Sequence, residues 1–241
     1  MTFRPHGIDQ INGTMFGMRR WMPLQGMGGG SPGSCIEFFV HNADGTTIEL
    51  DPNSAGTPVR VGESFQMRLP CGGGFGDALD RDPDAVATDV AAGRFSADDA
   101  CRVYGAVLHA DGSVDGEATA ARRDAVRRDR LARAEPAVSP QGNRQVPETS
   151  DAEALPLYPG VVQLGNIAYA EASGQVLAEA PAHWTDGCPV LEERRWPEGG
   201  PDVVFRTYLD PLLGRALHVE VALAGGPRSF SVNPRRWTDQ A

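Results

Sequence analysis

Short apolar runs separated by turn residues dominate the first seventy positions and predict β-strands. Residues 35–40 have strand character, residues 41–45 give a turn signal, and residues 46–50 resume the strand pattern, which together predict a β-hairpin. Residues 59–61 and 64–69 predict two more short strands, which lead into a glycine-rich loop.

The pattern then changes to helical spacing. Asp82 is placed to cap a helix that has Pro83 at its first position and ends at Gly93. The stretch from Ser96 to Asp99 has the pattern of a capping box and predicts a second short helix, which ends at Gly105. Residues 107–109 are expected to form a strand before the Asp111-Gly112 turn.

A longer helix is predicted over residues 115–135, with apolar positions at helical spacing (Ala118, Ala121, Ala125 and Leu131). It carries six arginines, which as a stripe could hold an anionic ligand: Arg122, Arg123, Arg127, Arg128, Arg130 and Arg133. Because Asp124, Asp129 and Glu135 interleave with them, we interpret this stripe instead as a solvated face with i,i+4 ion pairs.

The chain after this helix predicts a linker and then a β unit. Residues 136–155 are rich in Pro, Ser, Gln and Glu. Beyond them the pattern predicts strands over residues 161–172, 175–178, 203–209, 217–224 and 229–232. Alternation along residues 217–224 predicts a half-buried strand with His218 facing outward.

The predicted fold class is therefore α+β, with mixed β-hairpins and short helices followed by a small, mostly antiparallel β domain. The predicted boundaries are residues 1–135 for the first region, 136–155 for the linker and 156–241 for the β domain.

Composition excludes several classes of function. The chain has 241 residues, 41% hydrophobic, and a net charge of -10, which disfavours nucleic acid and anionic lipid as partners. All 22 basic residues are arginine, so the chain lacks the lysine needed by a Walker A loop, a Schiff-base enzyme or a biotin carrier. With neither a membrane-length apolar run nor an apolar leader at the start, we expect a cytoplasmic protein without membrane association.

The glycine cluster offers a candidate binding site. Gly72, Gly73 and Gly74 lie between a predicted strand and a helix, where free amides can bind an anion, and the alternative is a strained structural turn. Asp77 joins these three as a candidate binding residue. Together with Asp80 and Asp82 it could form a carboxylate cluster for acid and base chemistry, but helix capping is the simpler interpretation.

Metal and thiol chemistry have weaker support. His183, Asp186 and Cys188 lie close enough in sequence to suggest ligands, but a zinc site needs three or four donors and no fourth donor has matching spacing. The four cysteines form no C-x-x-C pair, so we expect buried, reduced thiols. The sequence thus predicts no catalytic residue and no metal site on this chain.

A family resemblance rests on three sequence segments, Gly72 to Pro83, Val103 to Leu108 and Asp111 to Asp115, and continues to Arg122. This stretch resembles the C-terminal end of the hydantoinase B family, which includes subunits of ATP-dependent hydantoinases, oxoprolinases and acetone and acetophenone carboxylases. The glycine-rich segment over residues 28–33 also fits, so the resemblance covers roughly residues 10–135.

The β domain is more weakly similar to the small zinc-bearing gamma subunit of acetone carboxylase. The segments that carry this similarity are Gly165-Asn166, Trp184 to Pro189 and Tyr208 to Pro211. In that relative paired cysteines hold zinc, and here only Cys188 remains.

The resemblance implies a subunit of a heteromeric complex. Larger hydantoinase A-like and hydantoinase B-like partners are expected to carry ATP and a divalent metal, with no cofactor on this chain. Carboxylation is placed slightly ahead of cyclic-amide hydrolysis, and a scaffold role is the third alternative. We expect a split-off C-terminal piece whose apolar N-terminal segment (Met15, Met18, Trp21 and Met22) packs against another chain.

Overall fold

A computed structural model describes residues 1–146, 153–195, 200–229 and 232–236. It has few helices and several small antiparallel sheets, which confirms the predicted α+β class. Of the predicted linker, residues 147–152 lie outside the described ranges, as do residues 230 and 231 of the predicted last strand. No helix among the described residues is long and apolar enough to cross a membrane.

The N-terminal region contains two small sheets. One is a four-stranded antiparallel sheet in the order β1-β6-β3-β4, and the other is a ribbon of β2 and β5. Pairing of β3 with β4 confirms the predicted hairpin. The strands are β1 (Thr2–Phe3), β2 (Gln10–Gly13), β3 (Glu37–His41), β4 (Thr47–Leu50), β5 (Thr57–Arg60) and β6 (Ser64–Arg68).

Three helices follow, at the predicted positions: α1 (Pro83–Ala91), α2 (Ala97–Tyr104) and α3 (Gly116–Arg133). The Asp82 side chain accepts from the amide of Asp84, and Ser96 and Asp99 form the predicted capping box. Gly105 ends α2 in the left-handed region at φ 62°, where a Cβ would be strained. The strand expected at residues 107–109 is reduced to an isolated bridge between Leu108 and Val114.

The C-terminal region consists of two antiparallel sheets that pack face to face. One has the order β10-β9-β8-β7 and the other the order β11-β12-β13. Their shared core includes Trp184, Leu177, Cys188 and Leu217. The strands are β7 (Ala154–Tyr158), β8 (Val161–Leu164), β9 (Ile167–Ala170), β10 (Val176–Glu179), β11 (Val190–Arg194), β12 (Val203–Leu209) and β13 (Ala216–Leu223).

The prediction of a single strand over residues 161–172 is wrong. The chain reverses at Gly165 and Asn166, and β8 pairs with β9 as a hairpin. Gly165 has a φ of 56°, which a turn requires and which glycine adopts without strain. The missed signal was therefore a two-residue turn between two short apolar runs.

The prediction that His218 faces solvent is also wrong. His218 is 2% exposed, and every residue of β13 except Leu223 is buried. Tyr158 of the neighbouring sheet covers the face that carries His218. On the other face, Ala216 belongs to a cluster that Leu131 of α3 covers. Alternation predicted a half-buried strand because it does not reveal that a second layer covers the polar positions.

The solvated-face interpretation of α3 is wrong for three of its arginines. Arg123 donates to the carbonyl oxygens of Tyr104 and Arg81, while Arg127 and Arg130 form ion pairs with aspartates that precede α1. The predicted apolar positions Ala121 and Ala125 are exposed instead. The inward face of α3 is thus largely polar, and its partners are remote in sequence.

Residues at the start of the predicted linker lie along the β domain. Glu135 forms a bridge with Val190, and the amide of Ser139 donates to the carbonyl of Asp186 at 2.8 Å. Gln145 forms a further bridge with Gln175. This part of the chain therefore contacts the β domain by main-chain hydrogen bonds.

The apolar N-terminal segment is only partly exposed. Met15 is buried against Ile36 and Phe38, and the ring of Trp21 lies beside Gly200. Phe16 and Met18, by contrast, are 90% and 84% exposed. The expected uncovered apolar surface is present, but it is narrower than the sequence predicted.

Candidate functional site

Two glycine-rich segments, residues 26–33 and 71–76, meet and form the floor of the candidate site. The amide of Met27 donates to the carbonyl of Gly74, and the amide of Gly76 donates back to the carbonyl of Met27, both at 2.9 Å. Gly74 also donates to the carbonyl of Ser31 at 2.8 Å. We call this pair of segments the glycine clamp.

The clamp requires glycine because two backbones approach each other directly. A Cβ on Gly30 would collide with the carbonyl oxygen of Gly74, and a Cβ on Gly73 would collide with that of Gln25. Gly72 differs, since a Cβ there would have no atom within 4 Å. The structural-turn alternative from the sequence therefore fits Gly73, whereas Gly72 is open.

A cavity of about 520 Å³, which we call the glycine cleft, lies beside the clamp. It brings together three of the four residues predicted to bind, Gly72, Gly74 and Asp77, but Gly73 does not line it. The sequence analysis did not single out the other side chains that complete the wall, although Phe75, Arg81 and Tyr104 lie in the segments that resemble the family: Cys71, Phe75, Arg81, Tyr104 and Arg215. Within the described residues, the exposed amide of Gly72 makes no hydrogen bond, so it is available to an anion.

Asp77 is a structural carboxylate in this arrangement. It is 3% exposed and accepts from the amide of Leu79, as the predicted capping role requires. Its oxygens also accept from the Arg130 guanidinium at 2.6 Å and 3.2 Å and from the amide of Ala216 at 2.8 Å. These four hydrogen bonds occupy the carboxylate, so Asp77 is poorly placed to act as a general base.

The other charged groups of the glycine cleft are paired. Asp80 binds Arg215 at 2.5 Å and Arg127 at 2.7 Å. Arg81 forms an ion pair with Asp89 and lies over the ring of Tyr104 at 5.1 Å. The cleft thus offers donors and an aromatic wall rather than a free acid-base pair.

The cysteines differ in environment. Cys71 is exposed at the mouth of the glycine cleft, and hydrogen bonds from the side chain and amide of Ser34 lower the pKa of its thiol. Cys35 and Cys188 are buried as predicted, and burial raises the pKa of both thiols. The expectation that all four thiols are buried is wrong for Cys71, which lies in an exposed loop, and Cys101 is only half-buried.

Two of the three residues considered as zinc ligands, Asp186 and Cys188, make structural contacts. Asp186 forms an ion pair with Arg228, and the fully buried Cys188 thiol donates to the carbonyl of Trp184 at 3.7 Å. His183 precedes the short 3-10 helix Trp184–Gly187. Across the described ranges, no three His, Cys, Asp or Glu side chains are grouped as metal ligands.

The glycine clamp is joined to the β domain by a hydrogen-bonded chain. The amide of Gly28 donates to the Tyr158 hydroxyl at 3.0 Å, and that hydroxyl lies 3.0 Å from Nδ1 of His218. Burial lowers the pKa of His218 to about 4, so the ring is neutral at pH 7. An unprotonated Nδ1 can accept a hydrogen bond from this hydroxyl, and the ring proton of the neutral histidine then lies on Nε2.

Comparison with known proteins finds similarity over the first part of the chain. Residues 1–78 match the family described as Hydantoinase B/oxoprolinase, and this range contains the whole glycine clamp and Asp77. A segment of 69 residues is 49% identical to the acetone carboxylase alpha subunit of Xanthobacter autotrophicus. The aligned segment is 27% of this chain but only 9% of that relative.

Two solved structures give partial matches. An acetone carboxylase in its nucleotide-free form, from work on ATP-dependent acetone carboxylation, has 29% identity and a TM-score of 0.38, covering 46% of this chain and 19% of that chain. The ATP-dependent caprolactamase from Pseudomonas jessenii has 25% identity and a TM-score of 0.40, covering 48% of this chain and 21% of that chain.

Proposed function

On the premise that residues 1–78 match the hydantoinase B/oxoprolinase family, we propose that the chain is a subunit of a cytoplasmic, multi-subunit ATP-dependent carboxylase of the acetone/acetophenone carboxylase type. It helps to complete the B-type active-site subunit and is not catalytic alone. The observation that carries the proposal is the 49% identity with the acetone carboxylase alpha subunit over a segment of 69 residues.

The partners in this proposal are larger hydantoinase A-like and hydantoinase B-like subunits. The A-type subunit would use ATP to phosphorylate a carbonyl substrate or bicarbonate, because phosphorylation converts a poor leaving oxygen into a good one. A phosphorylated intermediate must then be shielded from bulk water until it reacts. The chain would contribute to that shield through its glycine clamp, with Gly72 and Gly74 at the wall of the cleft.

A scaffold role is a second candidate, and the state of Asp77 favours it. Its carboxylate is buried and bound by Arg130 and by the amide of Ala216, so it joins elements rather than meeting a substrate. ATP-dependent hydrolysis of a cyclic amide is a third, since the matching family is also named for oxoprolinase.

Purification of the chain from its source tests the proposal directly. We expect larger chains to co-purify with it, and ATP-dependent turnover of a ketone to require bicarbonate and to be lost when this chain is omitted. Turnover of a cyclic amide without bicarbonate would favour the hydrolase alternative. A stable monomer of 25.7 kDa without partners would overturn the proposal.

Assembly and chemistry can be separated by comparing Gly72→Val with a variant that disrupts the glycine clamp. If Gly72→Val lowers turnover while the complex stays intact, the glycine cleft takes part in the reaction. If Gly72→Val leaves turnover unchanged and only disruption of the glycine clamp dissolves the complex, the scaffold role is correct.

A further inference from the structure

A second cavity adjoins the glycine cleft and has a different character. It has a volume of about 500 Å³ and shares Ser31, Pro32 and Asp77 with the glycine cleft. Apolar side chains of α3 and the β11-β12-β13 sheet line its interior: Val126, Leu191, Phe205 and Val219. We call it the arginine cleft, after the four guanidiniums that also line it: Arg102, Arg130, Arg133 and Arg195.

The charge of the arginine cleft opposes that of the whole chain. Its four guanidiniums face three carboxylates, Asp77, Asp129 and Glu193, so its lining has a net charge of about +1 in a chain of net charge -10. Since Arg130 neutralises Asp77 in a buried pair, the remaining positive charge belongs to the other three arginines. Asp99, which binds Arg102 from outside the lining, offsets this excess, so the attraction for a small anion rests on the guanidinium donors of the lining rather than on net charge.

These three arginines retain unused donors. A guanidinium carries about five N–H groups. Within the described residues, Arg102 uses one nitrogen to bind Asp99 and Arg195 uses one to bind Glu193, at 2.6 Å and 3.2 Å. Arg133 uses two, one for Asp129 and one for Glu193. Two arginines therefore share the Glu193 carboxylate, and an incoming anion would find free donors on each.

One of the arginines is also held in place by an aromatic ring. The guanidinium carbon of Arg195 lies 5.2 Å from the ring centroid of Phe205, and both residues line the cleft. Stacking of this kind orients the planar donor group. The combination of a fixed guanidinium at the rim and an apolar interior suits a ligand with an anionic head and an apolar body.

We propose that the arginine cleft binds a small organic anion, with its carboxylate or phosphate head on Arg133 and Arg195, which meet at Glu193, and its apolar body against Val219 and Leu191. This inference does not depend on the family assignment, because it concerns the isolated chain and the charges within it. Loss of binding and loss of co-purifying partners are separate readouts, so either result can fail alone.

Titration calorimetry of the full chain tests the inference with four probes: phenyl phosphate, benzoate, inorganic phosphate and benzyl alcohol. Saturable binding of phenyl phosphate or benzoate is expected, and the tighter of the two identifies the head group. Benzyl alcohol should bind at least about tenfold more weakly because it has no charge for the guanidiniums. Inorganic phosphate should also bind more weakly because it lacks an apolar body.

Variants locate the site. The double variant Arg133→Gln/Arg195→Gln should weaken binding of the organic anion by about tenfold or more. The control Arg122→Gln/Arg128→Gln, at two exposed positions of α3 outside the lining, removes the same number of charges and should change the dissociation constant by less than about twofold. Equal losses in the double variant and the control, equal binding of benzyl alcohol, or no saturable binding of either organic anion would overturn the inference.

Discussion

Asp77 and Arg130 form an ion pair that joins the segment of residues 1–78 to helix α3, with an oxygen-to-nitrogen distance of 2.6 Å and an aspartate side chain that is 1% exposed. The same carboxylate accepts from the amide of Ala216, 139 residues further along the chain. Three parts of the fold therefore meet on one buried charge: the loop before α1, helix α3 and the start of β13.

Neutralising this carboxylate should destabilise the protein strongly. Asp77→Asn leaves the guanidinium of Arg130 without its counter-charge, and we expect a loss of about 3 kcal/mol in the free energy of unfolding. Asp129→Asn is a suitable control, because Asp129 forms an exposed ion pair with Arg133 and its removal should cost less than about 1 kcal/mol. Urea unfolding measures both, and similar losses would contradict the structural role of Asp77.

The glycine clamp makes an equally specific prediction. Gly30→Ala places a methyl group against the carbonyl of Gly74, whereas Gly72→Ala places one in open space. We expect Gly30→Ala to lower the free energy of unfolding by about 2 kcal/mol or more and Gly72→Ala to change it by less than about 1 kcal/mol. Thermal unfolding followed by circular dichroism compares the two, and a tolerated Gly30→Ala would show that the two backbones can separate.

His218 should make stability depend on pH. Its pKa in the folded chain is lowered to about 4, below the ordinary value of 6.5, so the unfolded chain binds the extra proton first as the pH falls. The contribution of His218 to the free energy of unfolding is fully present above about pH 6.5. It is lost progressively as the pH falls towards 4, by about 3 kcal/mol in total.

The variant His218→Asn isolates this effect, because its amide oxygen can accept from Tyr158 as Nδ1 does but does not titrate. Urea unfolding of both proteins between pH 7 and pH 4 should show a steeper fall for the parent, since the carboxylates are common to both. Parallel curves would mean that the pKa of His218 is the same in the folded and the unfolded chain.

Cys71 should be the most reactive thiol. It is exposed and Ser34 lowers its pKa, so iodoacetamide at neutral pH should modify it before the buried Cys35 and Cys188. Ser34→Ala removes a hydrogen bond to the sulfur and should slow the reaction by about threefold, whereas Ser113→Ala, in a distant turn, should not. Peptide mass spectrometry gives the rates, and faster modification of Cys188 would contradict the described burial.

Local signals in the sequence predicted local structure well. The capping box from Ser96 to Asp99 and the aspartate cap of α1 depend on residues within one turn of each other, so their chemistry is visible in the sequence. The β3-β4 hairpin follows from a short turn in the same way. These elements needed no information about distant contacts.

Errors arose where the partner is remote. Arg130 was assigned to solvent because Asp129 lies beside it in sequence, while its partner Asp77 lies 53 residues away. Alternation placed His218 outside because the opposing residue, Tyr158, belongs to another sheet. The glycine cleft was predicted in part, since Gly72, Gly74 and Asp77 line it, but Arg81 and Arg215 join it only through tertiary packing.

The backbone contact between Gly30 and Gly74 also limits how this region can vary over evolution. Most packed positions can drift because a larger side chain on one surface is offset by a smaller one opposite. Here each partner already has no side chain, so no second substitution can restore the space that a first one takes. Homologous chains that keep this junction should therefore keep Gly30, whereas the position of Gly74 can take an alanine, because a Cβ there would lie 3.5 Å or more from its neighbours.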